Sequence, residues 1–157
     1  MSFIKDKYSD NYITNKQDWI RIKKFIPKDK IIWSPFYCDG KQKEIFKEMG
    51  YDIIHEDKDF FNYTPNYDII IDNPPFSKKK EILEKLKNID KPFILICPSM
   101  MISYKYFQKD FKDIQIIIPS KRICFKHLDN DKTYSPPFVS FYYCYKMNLP
   151  KDLIFLD

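Results

Sequence analysis

The residues best able to do chemistry in this chain stand together at Asn73-Pro74-Pro75-Phe76. Two adjacent prolines fix φ and exclude helix, so the chain leaves the preceding 67–71 run in one stiff, extended form. Asn73 then projects its carboxamide and Pro74 its carbonyl, two acceptors pointing into one small space with the Phe76 ring as a wall. That suits a flat group carrying an NH2, such as the exocyclic amine of a nucleobase or a carboxamide. An aryl amine is a poor nucleophile because its lone pair is delocalised into the ring. Hydrogen bonds from its two N–H groups to Asn73 and Pro74 favour the pyramidal, more nucleophilic form. Positioning and electrostatics then do the work of a strong base.

Two other segments carry comparable chemistry: the turn Ser34-Pro35-Phe36-Tyr37-Cys38-Asp39-Gly40 and the acidic-aromatic cluster Glu56-Asp57-Lys58-Asp59-Phe60-Phe61. An acidic cluster alone reads as a solvated loop; following a strand in register with two other strand ends, it reads as part of a ligand site. Lys78, Lys79 and Lys80 follow the tetrapeptide directly, as a solvated helix face or as phosphate contacts beside a flipped base. Arg122, one of only two arginines, is a further phosphate candidate. A second match, Ser135-Pro136-Pro137-Phe138, follows the polar loop 128–134 and precedes a strand, so it reads as structural. His55 reads as a partly buried strand histidine, and His127 has no evident partner.

These groups need elements that bring strand ends together. Thr14-Asn15-Lys16-Gln17 predicts a capping box opening a helix through Trp19, Ile20, Ile22 and Phe25, ended by Pro27. Strands are predicted at 31–33, 51–55, 67–71, 92–97, 114–118 and 138–145. A helix over 41–49 puts Ile45, Phe46 and Met49 on one face, with Gly50 as its stop. Ser77 is expected to cap a helix carrying Ile82, Leu83, Leu86 and Ile89. Ser99 is expected to cap another, with Met101, Ile102, Tyr106 and Phe107 inward. The strands are continuous apolar runs, as in a sheet covered on both faces, and they alternate with helices. That is an α/β domain with a mostly parallel central sheet, whose ligands lie at the carboxyl ends of the strands.

Composition narrows the alternatives. The 157 residues hold only two glycines, Gly40 and Gly50, which excludes glycine-rich phosphate loops. No apolar run approaches the ~18–20 residues that span a bilayer, and 1–12 lacks the apolar stretch of a secretory signal. The net charge of +5 suits a polyanionic partner, although the Lys, Ile, Asn, Tyr and Phe bias also matches an A/T-rich coding sequence. Cys38, Cys97, Cys124 and Cys144 form no CxxC pair, so no metal site is expected. Free thiols imply a reducing compartment, hence an intracellular protein, cytoplasmic or nuclear, with no membrane partner.

The tetrapeptide and its context resemble the amino-methyltransferases, which methylate N6 of adenine or N4 of cytosine and carry [DNS]PP[YFW] at the end of the fourth sheet strand. The likeness extends along most of the chain and is closest to short adenine-N6 methyltransferases of phages and large DNA viruses. It implies a Rossmann-like class I methyltransferase fold, with helices on both faces of the sheet and a C-terminal antiparallel hairpin. It implies one catalytic domain over 1–157, in which 1–27 forms a cofactor segment and helix, and no separate target-recognition domain. S-adenosylmethionine is the implied cofactor. Ser9 to Trp19 resembles the family's N-terminal cofactor segment, with Tyr12 and Thr14 at the cofactor. Pro35, Phe36 and Gly40 match the cofactor turn, Gly40 letting the backbone approach the methionine part. Glu56 or Asp57 matches the acceptor of the ribose hydroxyls, Asp59 the acid facing the adenine amine, and Phe60 the ring packed on that adenine. Asn73, Pro74, Pro75 and Phe76 match the catalytic tetrapeptide.

Three features depart from the pattern. Ser34 replaces an acid, Cys38 replaces the turn's other glycine, and the acidic residues form one cluster, as if a strand were missing. The implied activity is methylation of adenine N6 in DNA, with the base flipped out and with Lys78, Lys79 and Arg122 at the substrate. Target choice would be short, or supplied by a second copy or a separate specificity partner. RNA adenine, cytosine N4 and protein glutamine suit the same chemistry. A noncatalytic methyltransferase-like subunit that binds nucleic acid is the remaining alternative.

Overall fold

Seven runs rich in β-branched and aromatic residues form one sheet, and the amphipathic stretches between them cover its faces. The structure, a computed structural model, describes residues 12–127 and 132–157. The Ser9 end of the expected cofactor segment and residues 128–131 of the polar loop lie outside the described residues. In chain order the strands are β1 (Tyr12–Thr14), β2 (Ile31–Trp33), β3 (Asp52–Ile54), β4 (Ile69–Asp72) and β5 (Phe93–Pro98). They continue with β6 (Gln115–Pro119), β7 (Phe125–His127), β8 (Thr133–Tyr134), β9 (Ser140–Tyr145) and β10 (Leu153–Leu156). The helices are α1 (Lys16–Ile20), α2 (Gln42–Glu48), α3 (Lys79–Ile89) and α4 (Lys105–Asp110).

The main sheet has the order β10-β6-β9-β5-β4-β2-β3. Every neighbouring pair in it is parallel except those of β9, which runs antiparallel to both β5 and β6. The expected antiparallel C-terminal pairing is therefore β6 with β9, and β10 adds a parallel strand outside β6. Side chains alternate between two apolar layers, as strand geometry requires. Ile69, Ile71, Ile94, Ile96, Tyr142 and Cys144 face a layer completed by Trp19, Ile22 and Phe46. Ile70, Phe93, Leu95, Tyr143 and Tyr145 face the other, closed by Ile82, Leu83 and Leu86 of α3 and Phe107 of α4. Both faces are covered, which is why these strands read as unbroken apolar runs.

Four local expectations are corrected. Thr14 belongs to β1 rather than to a capping box, and Asn15 donates its Nδ2 to the Cys124 carbonyl at 2.9 Å instead of capping α1. The helix ends at Ile20, and a 3-10 turn at Lys23–Phe25 carries the chain toward Pro27. Ser77 lies inside a 3-10 turn at Phe76–Lys78 that follows the two prolines, so α3 starts one residue later than expected, with Lys78 at its N-cap. The segment after β5 is a 3-10 turn, Ser99–Ser103, then Tyr104 and α4. It buries Met101 and Phe107 but leaves Ile102 exposed and Tyr106 half-buried. The small sheet β1-β7-β8 was not anticipated; it seats β1 antiparallel on β7, with Thr14 opposite Phe125.

The topology directs attention to one place. From β2 the chain goes to β3 on one side and then to β4 on the other, so the connections diverge between β2 and β4. In open α/β sheets that divergence leaves a crevice above the strand ends. The turn from Ser34 and the tetrapeptide from Asn73 leave β2 and β4 there.

Candidate active site

The two loops are tied together by one buried carboxylate. Asp72 ends β4 and is 2% exposed. Its Oδ2 accepts the Ser34 hydroxyl at 2.8 Å and the Phe36 N–H at 2.7 Å. Its Oδ1 accepts the Asn73 N–H at 2.7 Å and Gln42 Nε2 at 3.2 Å. Burial pushes the Asp72 carboxyl up to about 6, against the pull of His55 and of the donors that surround it. Ser34 becomes intelligible here: an acid at 34 would face this carboxylate, whereas serine donates to it. Sequence reading assigned no role to Asp72 or Gln42. A charged residue closing an Ile-Ile-Ile strand was the signal for the first; nothing marked the second.

Above this tie lies a cavity of about 370 Å3. Of the residues expected at the site, Pro35, Phe36, Asp57, Asp59, Phe60, Asn73, Pro74, Pro75, Phe76 and Lys78 line it, joined by Tyr37, Cys38, Lys58, Phe61 and Ile82. Asn73 Oδ1 is buried without a hydrogen-bond partner. A buried acceptor left unpaired costs about 1–3 kcal/mol, and native structures keep few of them. Pro75 is extended, with φ −63° and ψ 127°, as the double proline requires. The Phe76 ring packs edge-on against Phe138 at 5.2 Å. The second tetrapeptide thus leads into β9 as expected and also reaches the site through Phe138.

The acidic loop divides its labour. Phe60 is buried against Trp33 and Phe36, with ring centroids 5.5 and 5.1 Å away, and Lys85 Nζ lies 4.3 Å from its ring centroid. Asp59 shapes its own turn, accepting the Phe61 N–H at 3.0 Å and Asn62 Nδ2 at 2.5 Å. Glu56 does not line the cavity. It accepts the Tyr63 hydroxyl at 2.9 Å and pairs with Lys58 at 3.3 Å; these partners hold its carboxyl below the usual range. Asp57, exposed, is on the cavity wall.

Gly40 is left-handed, with φ +78°, but it does not line the cavity. A Cβ there would sit 2.5 Å from the Tyr37 hydroxyl oxygen, so the Tyr37 side chain fills the space that the missing Cβ opens. The Tyr37 ring in turn stacks on His55 at 5.0 Å. His55, just past β3, is more deeply buried than expected, with Nδ1 2.7 Å from the Ser34 carbonyl. Cys38, at φ +53°, lies in the left-handed region that favours glycine. Cys38 is exposed, and partial desolvation, with Asp39 and Asp72 nearby, raises its thiol above the ordinary value.

Thr14 is 4% exposed, and its Oγ1 has no partner. It lines a narrow crevice with Asp39 and Ile45, and that crevice shares Phe36, Tyr37, Cys38 and Asn73 with the main cavity. Tyr12 lies two residues away on β1, opposite His127; the side chains of both are outside the description. Lys79 does not line the cavity; its Nζ donates to the Phe76 carbonyl at 2.9 Å. Arg122 also lies off the cavity and donates Nη1 to the Pro136 carbonyl at 3.1 Å, holding the second tetrapeptide. Among the described residues, no three His, Cys, Asp or Glu side chains gather as a metal site. No helix among them is long and apolar enough to cross a membrane.

No protein-family model matches the sequence, and no curated protein matches it. Solved structures do. A Pyrococcus horikoshii protein, described as a candidate RNA methyltransferase, superposes with a TM-score of 0.50 and 13% identity over 82% of this chain and 80% of that one. The precorrin-6y C5,15-methyltransferase of Geobacter metallireducens gives a TM-score of 0.47 and 8% identity over 82% of this chain and 85% of that one. The first likeness shows the fold: this chain has the Rossmann-like α/β fold of methyltransferases. S-adenosylmethionine is the cofactor that methyltransferases of this fold use.

Proposed function

We propose that this protein transfers a methyl group from S-adenosylmethionine to the exocyclic N6 amine of adenine in DNA. The observation that carries the reading is the unpaired, buried Oδ1 of Asn73 on the cavity wall, beside the stiff Pro74-Pro75 pair. An acceptor kept unsatisfied at a cost, next to a second acceptor and an aromatic wall, is fitted to an NH2-bearing ring.

The surrounding residues fit the cofactor. Phe36 and Phe60 supply apolar wall for its adenine, and Asp57 would accept its ribose hydroxyls. Thr14 Oγ1 and Asp39 offer polar atoms to its amino-acid end in the adjoining crevice. When bound, S-adenosylmethionine supplies a methyl group made electrophilic by the sulfonium. Asn73 Oδ1 and the Pro74 carbonyl accept the two N–H groups of the target amine, which withdraws its lone pair from the ring and aims it. Phe76, braced by Phe138, holds the flat face of the base. As the new C–N bond forms, the S–CH3 bond of the sulfonium would break to leave the neutral thioether, and the surplus proton on the amine would rest against Asn73 Oδ1 before leaving to water. Asp72 is no candidate base, because both its oxygens are taken by inward donors. The net charge of +5 and the exposed Lys78 on the cavity rim favour a polyanionic substrate.

The test is nucleoside mass spectrometry after incubation with S-adenosylmethionine and unmethylated DNA, with RNA alongside and Asn73→Ala as control. N6-methyladenine in DNA, lost in the variant, is the expected result. Methylated base in RNA alone, or in neither, refutes the reading.

A further inference from the structure

A second cleft adjoins the catalytic cavity. It has a volume of about 310 Å3 and is walled by Phe76, Ser77, Lys79, Lys80, Glu81, Tyr104 and Tyr106. Phe76 lines both spaces, so the cleft lies beside the cavity across that residue. The Tyr104 and Tyr106 rings lie 5.5 Å apart and are inclined by 31°. Both are half-buried, which fixes them from behind. Tyr104 is further locked by its carbonyl, which accepts the N–H groups of Phe107 at 3.1 Å and Gln108 at 3.0 Å. Lys79 and Lys80 stand on one wall, and the exposed Lys105 lies between the two tyrosines in sequence; Glu81 is the one acid on the wall. The 3-10 turn before Tyr104 keeps Met100 47% and Ile102 42% exposed, further apolar surface beside the aromatic pair.

Resting on the proposed reaction, we infer that this cleft is a stacking subsite for the base next to the target, and that the substrate is a single strand. Preformed aromatic faces flanked by lysines are the means by which proteins hold unpaired bases and their phosphates. A duplex does not fit. When one base flips from a duplex, its neighbours remain stacked and paired, and neither can lie on a tyrosine. A single strand has unstacked neighbours to offer. Catalytic cavity and cleft together then seat two consecutive nucleotides across Phe76, and Lys80 takes the phosphate side.

Fluorescence anisotropy tests this without relying on turnover. The probes are a labelled single-stranded DNA 12-mer containing one adenine, its duplex, and an RNA of the same sequence. The single-stranded DNA is expected to bind at least tenfold more tightly than the duplex. Tyr104→Leu and Tyr106→Leu, which keep bulk but remove the ring faces, should each weaken the single strand roughly 5- to 100-fold and leave the duplex unchanged. Tyr106→Phe should retain wild-type affinity. Lys80→Gln should reduce the salt slope by about 0.7. The RNA arm identifies the backbone the cleft accepts. Equal affinity for strand and duplex overturns the inference, as does wild-type strand affinity in both Leu variants once circular dichroism confirms their fold. If adenine is methylated while the Leu variants bind normally, the cleft assignment fails alone. If strand binding depends on the tyrosines while no adenine is methylated, the reaction assignment fails alone.

Discussion

Gly40→Ala is the most informative single substitution in the turn that follows β2. Gly40 sits at φ +78°, a conformation that costs an L-residue about 1–2 kcal/mol. The added Cβ would also lie 2.5 Å from the Tyr37 hydroxyl oxygen and 2.6 Å from Cζ, well inside contact distance. Those atoms are the far end of a side chain that is 36% exposed, so Tyr37 swings away rather than the backbone moving. Swinging it breaks the stack on His55, a pair contribution of about 0.5–1.5 kcal/mol. The two parts sum to about 1.5–3.5 kcal/mol. For a chain of this length that lowers Tm by roughly 3–14 °C. A double-mutant cycle with Tyr37→Ala separates them. With the tyrosine gone only the backbone part remains, so the double variant should be less destabilised than the sum of the singles by about 0.5–1.5 kcal/mol. Chemical denaturation with an unchanged m value is the assay. Full additivity, or a Gly40→Ala protein as stable as wild type, would refute the packing of Tyr37 over Gly40.

Three other outcomes follow from the same geometry. Cys38→Gly should stabilise by up to about 1 kcal/mol, the opposite sign to Gly40→Ala, because Cys38 already holds a glycine conformation at φ +53°; a thermal melt showing destabilisation contradicts this. The Asp72 carboxyl takes its proton near 6 when folded and near 3.8 when unfolded, so the folded state binds that proton more tightly. Between those values stability from this group rises as pH falls, by up to ~3 kcal/mol. The stability difference between wild type and Asp72→Asn should therefore shift in favour of wild type from pH 6 to pH 4; a difference that is flat with pH counts against the buried charge. Asp57→Asn should weaken S-adenosylmethionine binding by about tenfold or more in calorimetry, while Glu56→Gln, already engaged with Tyr63 and Lys58, should change it less than about twofold. The reverse order would exchange their roles.

Much of this arrangement was legible in the chain because it follows from local rules. Ile69, Ile70 and Ile71 read as a doubly covered strand, and Pro74-Pro75 read as a stiff exit from it. Both readings depend on neighbours in sequence, and the structure keeps both. Gly50 stops α2 at φ +96° for the same reason. What escaped depends on partners far away. Thr14 reads as the head of a capping box until it is drawn into a strand, and Asn15 beside it donates its amide to the Cys124 carbonyl, 109 residues on. The strand Tyr12–Thr14 exists because β7 lies beside it, and three residues carry too little pattern to announce that. Gly40 was expected to open the backbone toward a ligand, whereas Tyr37 from its own turn occupies that space. Ser34 and Cys38 looked like departures that weakened the turn. In three dimensions Ser34 donates to the carboxylate of Asp72 and Cys38 preserves the backbone shape. Glu56 and Asp57 were indistinguishable in sequence, and only the Tyr63 hydroxyl and Lys58 separate them.

The most direct measurement is single-turnover methyl transfer by wild type and Asn73→Ala, with the dissociation constant of S-adenosylmethionine determined on both proteins by calorimetry. Transfer is expected to fall by about 10²–10³-fold in the variant, the loss typical of one preorganised polar group, while cofactor affinity stays within about threefold. A variant that transfers within threefold of wild type would contradict the assignment of Asn73 as the residue that holds the target amine.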